Sequence, residues 1–346
     1  MWGGASVITI ENVRDFPARA RGAYVTIGNF DGVHRGHARL ISELRRKAEA
    51  AGAPALVVTF NPHPATLLRP VEAPAPLVWP EREYELLKAA GADEVAVFRT
   101  GPWLLGLSAR EFFDQVIVGQ FAAKGMVEGP NFFFGRDRQG DVQILGRWCA
   151  EEGIELTVAE PLLDGGVMVS SSRIRRALLE GDAAEARRLL GRPHRVRGIV
   201  SHGAGRGAGI GVPTANLDEV DTLIPADGVY AAIARATGSS PAEPTRAWPA
   251  ACNIGPNPTF GEQVRKVEAH LIDFQGDLYG RVVELDLLKR LRPTRAFADL
   301  DDLLGQIRLD IEETRRTVEA EPAPEAGRAP TSTGHSDEPH STGSAS

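Results

Sequence analysis

Between Ala23 and Val169, short runs of β-branched and apolar residues alternate with amphipathic stretches of helical period, and beyond Gly191 that rhythm gives way to closely spaced alternating segments separated by turns. The change of period divides the chain into two differently built halves. In the first half, strands are expected at residues 23–28, 55–60, 94–98 and 154–159 with helices between them, the pattern of a parallel sheet. The run Ala-Leu-Val-Val-Thr-Phe at 55–60 is almost continuously apolar, so it reads as a central strand covered on both faces. Two helical segments, 170–181 and 182–191, follow, and Gly191-Arg192-Pro193 ends the second because proline cannot continue a helix. Residues 196–203, 228–236, 247–255, 264–274 and 281–291 then alternate as strands of a small antiparallel barrel or sandwich, with an amphipathic helix over 297–318 to close it.

The resulting division is an extension over 1–22, an α/β domain over 23–190, an all-β domain over 191–318 and a tail over 319–346. A chain of 346 residues suits two domains. In the tail Pro, Ser, Thr and Gly dominate and large apolar residues vanish, so it is expected to stay disordered for want of surface to offset its ordering entropy. A formal net charge of −7 lacks the basic excess of a general nucleic-acid binder. No apolar run is long enough to span a bilayer, and the start lacks the layout of a signal peptide. Only Cys149 and Cys252 are present, far apart and without metal-ligand spacing, which fits a reducing cytoplasm.

Chemistry concentrates first in Gly28-Asn29-Phe30-Asp31-Gly32-Val33-His34-Arg35-Gly36-His37, directly after the first expected strand and before a helix expected over 37–50. A helix N-terminus offers unpaired amides and partial positive charge, and Gly28 and Gly36 let phosphate approach the backbone. His34 and His37, three residues apart, can donate to one triphosphate and stabilise charge on departing pyrophosphate. No third ligand stands at a zinc-type offset from them. Ser170, Ser171 and Ser172, followed by Arg173 and Arg175, suit a second patch of phosphate oxygens, although such a run taken alone is more often an ordinary N-cap. Asn61-Pro62-His63-Pro64 reads as a rigid turn. In the second half, Gly203, Gly205, Arg206, Gly207 and Gly211 form a glycine-rich stretch that could cradle phosphate or be a plain hairpin. Thr214 and Asn216, two apart in an extended segment, share a side and carry oxygens suited to magnesium.

In order along the chain, these motifs resemble the bacterial bifunctional riboflavin kinase/FMN adenylyltransferases over residues 23–310. The His34-Arg35-Gly36-His37 run resembles the His-x-Gly-His signature of nucleotidyltransferases. Thr59-Phe60-Asn61-Pro62-His63-Pro64 resembles the family's Phe-Asp-Pro-His-Pro turn, with Asn61 where aspartate is usual. Gly129-Pro130-Asn131-Phe132-Phe133-Phe134-Gly135 resembles a segment lining the flavin and adenylate site. Val169 to Arg175 resembles the Ile-Ser-Ser-Thr-x-x-Arg phosphate motif, with Ser172 for threonine.

The resemblance implies a Rossmann-like nucleotidyltransferase domain followed by a riboflavin kinase barrel with a C-terminal helix. It implies that the second half phosphorylates riboflavin to FMN and the first adenylylates FMN to FAD with release of pyrophosphate, ATP and Mg2+ serving both. On it, Gly28, Asn29, Phe30, Asp31, Gly36, Ser170, Ser171, Ser172 and Arg175 meet ATP, and Asn61, His63, Asn131 and Phe132 line the flavin or adenylate. Gly203, Gly205, Arg206, Gly207 and Gly211 hold the kinase nucleotide, and Thr214 and Asn216 the metal. Motifs at 225–230, 253–260, 267–274 and 277–280 extend the match, and within them Glu268 is implied as general base for the riboflavin hydroxyl. From alternation alone Glu268 is an exposed strand residue. His194 stands where the family usually has tyrosine or phenylalanine, a change expected to bear on packing between the halves. The competing readings are a narrower enzyme with one decayed half and a flavin-binding regulator that keeps the fold without turnover.

Overall fold

The computed structural model describes residues 7–12, 16–203, 205–236, 245–256 and 264–322. Its first half is a six-stranded, all-parallel sheet. The strands are β1 (Val7–Ile10), β2 (Tyr24–Ile27), β3 (Ala55–Asn61), β4 (Glu94–Arg99), β5 (Gly125–Glu128) and β6 (Glu155–Val158), in the order β1-β4-β3-β2-β5-β6. Helices α1 (Arg35–Ala50), α2 (Pro80–Ala89) and α3 (Val142–Glu152) are the main crossovers. Successive residues of β3 enter different cores, Leu56 and Val58 one and Ala55 and Val57 the other. This is why the strand reads as a continuous apolar run. Helix α1 buries Ala38, Ile41, Leu44 and Ala48, a stripe at helical spacing, and each large side chain contributes about 1.5–3 kcal/mol.

Two strands escape the sequence pattern. Val7–Ile10 falls in what reads as an extension, yet it pairs along β4 with Ile8 and Ile10 buried. Gly125–Glu128 is short and opens on a glycine. A Cβ at Gly125 would lie 2.2 Å from the Tyr24 ring, so the neighbouring strand's tyrosine dictates that residue. The order reverses at β2: the chain runs outward through β3 and β4, then returns to β5 on the other side. The crevice beyond the carboxyl ends of β2 and β5 is such a fold's switch point.

Helices α4 (Ser171–Glu180) and α5 (Ala183–Leu190) lead to the second half, each ending on a glycine in the left-handed region, Gly181 and Gly191. The closed antiparallel barrel comprises β7 (His194–Ser201), β8 (Ala215–Asp218), β9 (Gly228–Ala236), β10 (Arg246–Gly255), β11 (Lys266–Leu271) and β12 (Val282–Arg292), in the order β7-β8-β11-β10-β9-β12. Burial alternates strictly along β7 and β11, so Val196, Val200, Val267, Ala269 and Leu271 fill the interior while their neighbours face outward.

Helix α6 (Leu300–Glu319) packs over β9, β10 and β12. Asp299 caps it, accepting from the Asp302 amide at 2.9 Å, which moves its start beyond the expected Phe297. Its end also corrects the expectation of disorder from 319: the helix includes Glu319, and the Glu321 carboxylate accepts from both terminal nitrogens of Arg187 at 2.6 and 2.7 Å. The remainder of the expected tail, 323–346, lies outside the described residues.

Candidate active sites

Strand β2 delivers the Gly28–His37 turn to the switch point, where α1 begins two residues earlier than its pattern suggests. His34 is the N-cap: its Nδ1 accepts from the His37 amide at 3.3 Å, so in the neutral ring the proton sits on Nε2. The two imidazoles stack with centroids 3.6 Å apart and planes 20° from parallel, and His37 meets the Phe30 ring edge-on at 5.2 Å. Burial, reinforced by Arg192, pushes His34 down to about 3, and burial, then the His34 ring and Arg192, hold His37 well below the ordinary histidine value. Both are neutral hydrogen-bond donors at physiological pH, and the buried Nδ1 of His37 has no partner among the described residues. A Cβ on Gly36 would crowd the His34 ring at 3.1 Å, so the close turn requires glycine there.

The second helix N-terminus arrives from the far end of the domain. Ser170 caps α4, accepting from the Arg173 amide at 3.3 Å, and the Ser171 hydroxyl donates to the Asp31 carbonyl at 2.8 Å, tying the two N-termini together. Ser172 is exposed beside them. The Asp31 carboxylate is engaged within the protein: it accepts from the Leu77 amide at 2.8 Å and pairs with Arg175, which also donates to the Ala75 carbonyl at 2.9 Å. Burial raises the Asp31 carboxyl above its usual range against the lowering by Arg175. The Asp31 carboxylate thus orients the Arg175 guanidinium and ties the turn to the segment at 75–77.

Asn29, Phe30, Asp31, Asn61, His63 and Arg175 line a common cavity of about 330 Å³ on the β3 side of β2. His63 caps a short helix through Nδ1, accepting from the Ala65 amide at 3.0 Å, and burial lowers its pKa. Asn61 faces the Tyr84 hydroxyl at 3.4 Å. Asn131 and Phe132 lie elsewhere, on the segment after β5. Asn131 is exposed with its amide 3.9 Å from the Met168 sulfur, and Phe132 stacks on Phe134 with centroids 5.5 Å apart. Gly28 to His37 therefore stands between two lobes.

Several groups here have no local sequence signature. Glu83, on α2, enters the same cavity, accepts from the Thr59 hydroxyl at 2.8 Å, and is pushed up to about 7 by burial. Glu128 at the end of β5 accepts from the Ile27 amide at 2.8 Å and is raised well above the carboxylate range by burial. It bridges β2 and β5 where their ladder stops. Asp221, from the second half, also lines the cavity.

The second cluster lies on the barrel's outer face. Asn216 pairs across strands with Glu268, and Glu268 with Asn253 on its other side, all three half-buried and pointing outward. Thr214, two residues before Asn216, is exposed on the same side. His270 contacts the Pro213 carbonyl at 2.8 Å and so fixes the segment that carries Thr214. A Cβ on Gly203 would sit 2.1 Å from the Asn216 amide nitrogen, and one on Gly207 2.4 Å from the Val212 carbonyl. Those glycines let the loop close over the polar pair. Gly205 and Gly211 flank the turn at Arg206–Gly209, while the Arg206 side chain and residues 257–260 of the expected motif lie outside the described residues. Hydroxyl and amide oxygens of Thr214 and Asn216 are hard donors that suit Mg2+. Among the described residues no cluster of three or more His, Cys, Asp or Glu could hold a metal by itself.

A parallel sheet with paired helix N-termini at its switch point, joined to a barrel with its own glycine loop and outward carboxylate, defines a two-domain nucleotide-dependent transferase. Residues 16–173 match the FAD synthetase family model, and residues 190–318 match the riboflavin kinase model. The bifunctional riboflavin kinase/FMN adenylyltransferase of Pseudomonas fluorescens is 37% identical over 296 residues, 85% of this chain and 93% of that one. Its counterpart in Escherichia coli K12 is 36% identical, covering 87% and 94%, and that of Bacillus subtilis 33%, covering 84% and 91%. The crystal structure of a macrolide-efflux protein from Streptococcus pneumoniae shares the architecture, with a TM-score of 0.77, 32% identity and coverage of 89% and 99%. In the present chain no helix among the described residues is long and apolar enough to cross a membrane. The chain belongs to the bifunctional riboflavin kinase/FMN adenylyltransferase family, with a FAD synthetase half followed by a riboflavin kinase half.

Proposed function

We propose that the two clusters divide the two reactions between them. At the first, the ATP triphosphate lies over the N-termini of α1 and α4, contacting Gly28, Asn29, Phe30, Gly36 and Ser170 to Ser172, with Arg175 aimed by Asp31. Asn61 and His63 line one lobe for flavin or adenylate, and Asn131 and Phe132 the other. An FMN phosphate oxygen attacks the α-phosphorus, the bond to the β-phosphate oxygen breaks, and pyrophosphate leaves. Neutral His34 and His37 donate to the oxygens that gain charge, so the protein aligns two charged reactants without a covalent intermediate.

At the second, the riboflavin 5′-hydroxyl attacks the γ-phosphorus of ATP, Glu268 accepts its proton, and ADP departs. Gly203, Gly205, Arg206, Gly207 and Gly211 surround the phosphates. Thr214 and Asn216 hold Mg2+, which when bound neutralises charge on the phosphate oxygens. The chain acts in the cytoplasm on small molecules, without nucleic-acid or membrane partners. Its net charge of −7 and two buried, unpaired cysteines support that setting.

What supports the division most is that each matched span carries its own phosphate cluster: Gly28–His37 in 16–173 and Gly203–Asn216 with Glu268 in 190–318. Labelled ATP tests it. With riboflavin as acceptor, γ-labelled ATP should mark both FMN and FAD, whereas α-labelled ATP should mark FAD alone. Label from α-labelled ATP in FMN, or none from γ-labelled ATP, would contradict the assignment.

A further inference from the structure

Arg192 reads from the sequence as punctuation between the halves, and it falls inside the riboflavin kinase span. Its guanidinium nevertheless reaches back into the first half. It donates to the Val33 carbonyl at 2.9 Å, to the Gly32 carbonyl at shorter range, and to the Leu190 carbonyl at 3.4 Å. All three acceptors are main chain, and two of them directly precede His34.

The turn so held is unusual. Gly32 has φ +85° and Val33 φ +37°, left-handed geometry that a β-branched residue adopts only under constraint. The Val33 amide donates to the Phe30 carbonyl at 2.7 Å while its own carbonyl receives Arg192, so the peptide is gripped from both ends. The next residue caps α1 and stacks on His37. A planar fork serving two adjacent carbonyls fixes orientation as well as position, which an ammonium cannot do. Arg192 also adds a cation beside both histidines and contributes to keeping them neutral.

We infer that Arg192, a residue of the kinase half, is a positioning residue for adenylyl transfer, holding the Gly32-Val33 turn so that His34 and His37 face the triphosphate. This rests on the reading of the histidine turn as the adenylyl-transfer site.

The test uses the full chain with Arg192→Met, which keeps bulk without charge or donors, and Arg192→Lys, which keeps charge without the fork. FAD formation from supplied FMN and FMN formation from riboflavin are measured on the same preparations. Turnover to FAD should fall about a hundredfold in Arg192→Met, as for an ångström-scale misplacement of a catalytic group, while the kinase rate is unchanged. Arg192→Lys should fall between the two. Made in a background carrying both His34→Ala and His37→Ala, Arg192→Met should bring no further loss of the residual FAD rate, because Arg192 acts through those two side chains.

Parental FAD turnover in Arg192→Met or Arg192→Lys would overturn the inference. So would a further loss on adding Arg192→Met to the chain that lacks both histidines, or parallel loss of both activities with a lowered thermal transition in both Arg192 variants. If His34→Ala itself leaves FAD formation intact, the reading of the turn fails. If His34→Ala abolishes FAD formation and Arg192→Met does not, only the role of Arg192 fails.

Discussion

The adenylyl-transfer site proposed above is assembled from pieces far apart in the chain, the turn after β2, the N-terminus of α4 some 140 residues later, and Arg192 and Asp221 from the second half. The proposed kinase site sits on neighbouring barrel strands, with Asn216 and Glu268 in direct register and His270 bracing the segment before Thr214. The first is a deep, interlocked crevice whose titratable groups are strongly shifted by burial, the second an open wall of half-buried side chains. A site built across a seam depends on both halves staying docked. A site built on one barrel needs only the barrel.

Separating the halves should expose this contrast most severely. A fragment from Gly191 to Pro322 contains the closed barrel and α6, and is expected to fold and phosphorylate riboflavin. A fragment ending at Leu190 loses Arg192 and the Leu223 amide that donates to the Pro76 carbonyl at 2.7 Å, so FAD formation should be lost. An inert barrel fragment, or a fully active N-terminal one, would remove the distinction.

Glu268→Gln sharpens the comparison from the other side. Turnover to FMN should drop about a hundredfold to ten-thousandfold, the usual contribution of a general base, with riboflavin and ATP binding little changed and supplied FMN still converted to FAD. Poor flavin binding with normal turnover at saturation would make the carboxylate a binding group.

Acid should loosen the seam. His34 and His194 have folded values of about 3 and about 4, below the ordinary 6.5, so between those values and 6.5 the unfolded chain binds more protons. Their stabilisation is complete above pH 6.5 and is lost as pH falls, at up to about 1.4 kcal/mol per pH unit for each. His194 is buried against the Leu223 carbonyl at 2.8 Å, so His194→Phe should flatten the slope of denaturant-measured stability between pH 6 and 4. An unchanged slope would show that His194 does not report on the docked state. The smallest effect is expected from removing residues 323–346, which leaves the Glu321–Arg187 pair in place and both rates unchanged. A marked loss would assign the tail a docked role.

The legible parts of this molecule are those whose cause is local. Residues 55–60 announce a buried strand because both faces are covered, the Gly28–His37 turn carries its cap residue and glycines in one contiguous run, and Ser170–Arg175 carries its cap residue beside its arginines. Gly125 was opaque because its reason is the Tyr24 ring on another strand, and Val7–Ile10 because four residues show too little period. Glu83, Asp221 and Arg192 carry no local mark. Glu83 looks like a first-turn helix acid and Arg192 like a linker, and only tertiary docking brings them to the site. Asp31 shows the converse, a residue that its motif marks and whose carboxylate is engaged by Arg175 and the Leu77 amide.

The most direct test of two separate sites is a time course in which riboflavin and ATP are given to the chain carrying both His34→Ala and His37→Ala. FMN should accumulate at the parental rate while FAD falls by about two to three orders of magnitude, the cost of removing preorganised donors to developing charge. Equal loss of both products, or undiminished FAD, would contradict the account.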